Sequence, residues 1–192
     1  VQSISSPENA KRTVQSVFDS GFDAMKVYSF LNKEDFFAIN DASATVDIPM
    51  LGHIPHAVTL DDIWNSNLSE LAHIEELVKA LDNEFGGYTS ANSNEFIEFV
   101  KMRSETVVNR LVDNKMAVVT TLWLMESFAK QRHHLDQALS ESELEYVNPG
   151  ITELSPIASR VMGWLPDSNV YRIDGDHTHD ELENDKNYWN TY

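Results

Sequence analysis

A chain of 192 residues with 42% hydrophobic and 23% charged content is sized for one domain, or two small ones, and does not have the composition of a disordered segment. Fourteen basic against 31 acidic residues give a formal charge of −17, a repulsion toward phosphate backbones and anionic lipid, so neither direct nucleic-acid binding nor membrane association is expected. The absence of cysteine excludes a disulfide framework and thiolate chemistry.

The elements can be predicted in chain order. Ser6, Pro7 and Glu8 form a helix start: a capping hydroxyl, a proline suited to the first helical position, and an acid at the positive end of the dipole. Val14, Val17, Phe18, Phe22, Met25 and Tyr28 then recur at helical spacing and predict a helix to about Leu31. Residues 33–58 are expected to be a long, ordered, irregular connection. Phe36, Phe37 and Ile39 precede a small polar cluster, Val46, Ile48 and Met50 alternate toward Gly52 as one short edge strand, and Pro49 and Pro55 limit any regular element.

Thr59 and Asp62 have the spacing of a capping box. Behind it, Ile63, Trp64, Leu68, Leu71, Ile74, Leu77, Val78 and Leu81 make a broad apolar stripe that Gly86-Gly87 ends. From Glu95 to about Ser140 the pattern is again helical, a span that would run about 68 Å as one helix, so a break is expected at Asp113-Asn114. The second half, from Lys115, is apolar nearly all round between Met116 and Phe128, which predicts a central spine with Trp123 buried against the 59–85 helix. Beyond Asn148-Pro149-Gly150 a short helix carrying Ile157, Val161, Met162 and Trp164 and a brief strand at 170–173 are expected. The residues from Asp174 are acidic and Asn-rich and read as a peripheral tail. The sum is a mainly α chain, a bundle of about four to five helices. Residues 1–173 would form a single helical domain and 174–192 the acidic tail.

The chemistry-bearing patterns are sparse. No G-x-G-x-x-G, Walker-type loop or G-x-S-x-G occurs, so no cofactor is expected. Glu70 and His73 form one E-x-x-H pair on a predicted helix, whereas a di-iron bundle needs two such pairs and further glutamates. His53 and His56 share a loop and could meet a metal only with carboxylates from elsewhere. His133-His134 point about 100° apart on a helix, and their expected role is a favourable cation at a helix C-terminus. The densest cluster is in the tail. Asp174, Asp176, Thr178 and Asp180 follow the alternating positions of a calcium loop, but His179 stands where glycine is needed and Asp185 where glutamate is needed. Asp174, Asp176, His177, His179 and Asp180 are therefore a candidate for weak metal capture. Trp164, Tyr171, Tyr188, Trp189 and Tyr192 are aromatic residues in segments too polar for core, which predicts an interface.

With no catalytic constellation, the leading reading is a non-enzymatic structural or interaction subunit of a larger assembly, in the cytoplasm or a virion. Its specific form is a proteolytically processed phage virion protein, Val1 standing where an initiator methionine is absent. The expected partners are other protein subunits, including further copies of this chain. Two alternatives stand beside it: an acidic inhibitor or regulator of a basic nucleic-acid-binding site, and a metal-dependent enzyme using the histidines and tail carboxylates.

Overall fold

The computed structural model describes residues 2–141, 143 and 176–191. They fall into two compact units, Val1–Thr120 and Thr121–Tyr192. The first unit is α/β, which corrects the expectation of a helical bundle. Its elements run α1 (Pro7–Asp19), β1 (Met25–Val27), α2 (Lys33–Val46), β2 (Met50–Gly52), α3 (Leu60–Trp64), β3 (Leu68–Ala72), α4 (Glu75–Phe85), α5 (Ser93–Asp113) and β4 (Ala117–Val119). The four strands pair in chain order and are all parallel. The connections between successive strands run through helices, as parallel pairing requires, and helices and strands both feed the core, in which Val14, Phe36, Met50, Ile63 and Leu71 are fully buried.

The helix start at Ser6 forms as expected, with the Ser6 hydroxyl accepting the Asn9 N–H at 3.2 Å. The helix stops at Asp19 rather than Leu31, because Gly21 takes a positive φ of 74°. Met25 and Val27 are buried strand residues, while Phe22 and Tyr28, which a longer helix would have turned inward, are 64% and 52% exposed. The irregular connection expected at 33–58 is a helix followed by a strand. Polar side chains concealed α2: Ser43 bonds back to the Asn40 carbonyl at 2.8 Å, and buried Asn40 accepts the Asn67 N–H at 2.7 Å. Small polar residues in a helix are tolerated when their hydrogen bonds are met in this way.

The capping box at Thr59 and Asp62 is present, with reciprocal bonds of 3.2 and 3.0 Å. The apolar stripe behind it is not one helix but α3, β3 and α4. Leu68, Leu71 and Ala72 of β3 lie at i, i+3, i+4, a spacing that reads as one face of a helix. The break at Asp113-Asn114 holds, but the next element is the strand β4, entered through Lys115 at φ 52°. The predicted spine is likewise corrected. Trp123 is 71% exposed and belongs to the second unit, since the residues before it are spent on β4.

In the second unit, α6 (Leu122–Glu141) is interrupted at His134, and α7 spans His179–Thr191. His133 and His134 thus lie at the break, where the first helical segment of α6 ends. Asp185 of α7 accepts from the Arg132 guanidinium, Nη2 to Oδ1 at 2.7 Å, and from His133 Nε2 at 2.7 Å. The stretch expected as a peripheral tail thus carries a helix tied to α6. The segment around Trp164, the strand expected at 170–173 and residues Tyr171, Asp174 and Tyr192 lie outside the described residues.

Gly52 and Gly86 both have positive φ, 131° and 100°, but differ in surroundings. A Cβ on Gly52 would lie 2.3 Å from the Val27 carbonyl oxygen, whereas one on Gly86 would meet nothing within 4 Å. Gly52→Ala is expected to destabilise by about 2–4 kcal/mol, from strain plus overpacking. Gly86→Ala should lose only about 1–2 kcal/mol, from conformation alone. Urea denaturation of both variants checks the ranking, and equal losses would show that the β1–β2 approach is not tight.

Candidate functional site

Parallel pairing brings the carboxyl ends of all four strands to one edge of the sheet, the place where ligands bind in open α/β sheets and barrels. Three strand ends deliver polar side chains there. Tyr28 and Ser29 follow β1, His53 follows β2, and His73 follows β3. Gly52 makes the second of these possible. Lacking a Cβ, it lets β2 close on Val27, whose carbonyl accepts the His53 N–H at 3.2 Å.

The His53 imidazole is buried. One face stacks on Tyr28, with ring centroids 4.2 Å apart and planes 24° from parallel, and the His73 ring meets it edge-on at 5.1 Å. Its Nδ1 is 2.9 Å from Ser29 Oγ and 3.4 Å from Glu76 Oε1. Its Nε2 is buried with no hydrogen-bond partner. His73 is half-buried and held at φ 81° by a bond from its N–H to the Val119 carbonyl at 2.9 Å. A positive φ on a residue other than glycine costs of order 1–3 kcal/mol, and such strain clusters at functional sites.

Glu76 lies in the first turn of α4, only 1% exposed. Its Oε2 accepts the Ile54 N–H at 3.1 Å and its Oε1 accepts from Lys79 Nζ at 3.0 Å. Lys79 also reaches Glu75 at 3.2 Å. Burial works to lower the Lys79 pKa, but the bond to Glu76 and the charges of Glu76 and Glu75 outweigh it and raise the value. For His53 the balance goes the other way. Loss of hydration pushes its pKa below the ordinary imidazole range; Glu76 opposes this, and His73, Lys26 and Lys79 add to it. A neutral imidazole is the form that ligates a metal.

The sequence-predicted candidates are mostly not brought together. His56 is exposed and turned to Phe30, with centroids 5.6 Å apart, so it does not join His53. Glu70 is a strand residue, and the helical face assumed for Glu70 and His73 does not exist. Asp176 and His177 precede α7 while His179 and Asp180 open it, all four exposed. Thr178 there caps the helix against Glu181, its N–H bonding the carboxylate at 2.8 Å. Among the described residues no group of three or more His, Asp or Glu side chains is placed to hold a metal ion. Tyr188 and Trp189 fall within α7. Tyr28 enters the sequence reading only as one position of an apolar helical face, and that reading leaves out Ser29, Glu76 and Lys79. A signal for the last two was present, in the three-residue spacing His73, Glu76, Lys79 directly after an apolar run.

No protein-family model and no curated protein matches the chain. Among solved structures, a bottromycin amidohydrolase is similar in fold over 98% of this chain, at a TM-score of 0.55 and 18% identity. The match takes in 36% of that protein, so the chain spans about a third of its length. This shared α/β fold runs against the reading as a non-enzymatic structural subunit of a virion, which rested on the absence of catalytic motifs, the start at Val1 and the aromatic residues near the C-terminus. No helix among the described residues is long and apolar enough to cross a membrane.

His53 also makes stability pH-dependent. Because its folded pKa lies below its unfolded value of about 6.5, its share of stability is complete above that value. It is lost as pH falls from about 6.5 through the folded pKa, where the unfolded chain binds the proton first. His53→Gln is expected to show a shallower acid decline than the parent when denaturation midpoints are compared from pH 7.5 to 5. Parallel declines would show that His53 is not protected from protonation by the fold.

Proposed function

We propose that this chain supplies the histidine pair of a metal-assisted hydrolytic centre acting on amide-type bonds. The observation that carries the reading is the buried, unpartnered Nε2 of His53 beside a second imidazole, His73, at the carboxyl edge of a parallel sheet. A buried nitrogen left without a hydrogen bond needs an explanation, and coordination of an ion is one of the standard ones. Imidazole ligands suit zinc and similar divalent ions. Catalytic zinc takes three protein ligands and keeps one position open, and His53 and His73 would supply two of the three. When bound, such an ion acidifies a water and polarises a carbonyl. The chain's own residues orient the donors: Tyr28 fixes the plane of the His53 ring, and the β3 exit fixes His73. The amide class comes from the name of the enzyme whose fold is shared, and this chain's substrate is proposed on that basis alone.

Calorimetric titration with Zn²⁺ tests the reading. The parent chain is expected to bind one ion, and His53→Ala and His73→Ala to weaken binding by at least about tenfold with the circular dichroism spectrum retained. Amide hydrolysis should require added metal and vanish on chelation. Binding unchanged in both variants, or turnover that survives chelation, would exclude the proposed centre.

A further inference from the structure

We infer that Glu76 is a positioning residue that fixes the His53 tautomer, placing the ring proton on Nδ1 and leaving the lone pair on Nε2. Its functional meaning rests on the metal reading above; the tautomer itself does not. Nδ1 has two neighbours, and only one of them discriminates. Ser29 Oγ, at 2.9 Å, can donate or accept and so suits either tautomer. The Glu76 carboxylate, with Oε1 at 3.4 Å, can only accept.

Were the proton on Nε2, the Nδ1 lone pair would face that carboxylate. A donor N–H would then be buried at Nε2 with nothing to receive it, the costlier kind of orphan. With the proton on Nδ1, the N–H lies between Ser29 Oγ at 2.9 Å and the carboxylate at 3.4 Å, and the buried Nε2 carries a lone pair, the less costly orphan. Histidines that bind metal ions commonly donate their other N–H to a carboxylate or carbonyl, and that partner raises the ring's basicity and holds its orientation.

The carboxylate is itself held on both oxygens. The Ile54 N–H bonds Oε2, so Glu76 is anchored to the residue next to His53, and Lys79 neutralises Oε1 from the solvent side. This geometry ties the first turn of α4 to the exit of β2.

The substitution Glu76→Gln separates orientation from packing. A glutamine there keeps the volume, and its carbonyl oxygen can accept the Ile54 N–H. Its NH₂ group then faces Nδ1 as a donor, which favours the opposite tautomer.

The test is ¹⁵N NMR of the metal-free full chain with ring-labelled histidine at pH 8, the His53 signals assigned by their loss in His53→Gln. The parent is expected to carry its proton on Nδ1, Ser29→Ala to keep it there, and Glu76→Gln to move it to Nε2. Zn²⁺ affinity of Glu76→Gln should fall about 10- to 100-fold with unchanged circular dichroism. A proton on Nε2 in the parent overturns the inference, as does a Glu76→Gln spectrum like the parent's or a switch in Ser29→Ala. If Glu76→Gln does not fold, the parent and Ser29→Ala spectra decide. A parent with the proton on Nδ1 but no zinc binding would sink the metal reading while leaving the tautomer assignment standing.

Discussion

Four strands running in one direction and pairing in chain order set the terms for everything else in the first unit. Parallel neighbours cannot be joined by a tight turn, so each connection must cross the sheet as a helix, and every strand then ends at the same edge. Ser29, His53 and His73 are far apart in sequence and meet only because they leave three successive strands at that edge. The approach of β2 to β1 is close at Val27. Gly52 stands there with room for no side chain beyond a hydrogen atom, and His53 is the next residue.

A carboxylate as deeply buried as Glu76 is an expensive element in a fold. Removing a charge from water costs several kcal/mol, and apolar replacements of buried ion pairs are often neutral or better for stability. Here the charge is offset locally by the Ile54 amide, by Lys79 and by its place in the first turn of α4, where the helix dipole favours an anion. The same few residues also carry His73 in a left-handed backbone conformation and the unpartnered nitrogen of His53. Three departures from a relaxed interior within one cluster are the physical ground for placing function there rather than in the acidic segment near the C-terminus.

The similarity to an amidohydrolase at 18% identity establishes a shared fold. Function on a shared fold resides in particular residues, so the proposed chemistry stands on the histidine pair. The chain covers 36% of that enzyme's length, and among the described residues no third ligand joins the two imidazoles.

Local signals were legible where local physics decides. The Ser6 cap, the Thr59–Asp62 capping box and the break at Asp113-Asn114 depend on side chains reaching backbone groups a few residues away, and composition already gave the acidic balance and the absence of thiol chemistry. His53 and His73 were visible as histidines but were paired with the wrong partners, His56 and Glu70, because sequence neighbours were assumed to be spatial neighbours. Tertiary structure alone decided that Leu68–Ala72 is a strand within an apparently helical stripe and that α2 hides in a polar run. It also decided that Trp123 faces water. The reason is physical: Leu68, Leu71 and Ala72 stand at the i, i+3, i+4 spacing that a helix would also bury, and only pairing with β2 and β4 on either side selects the strand.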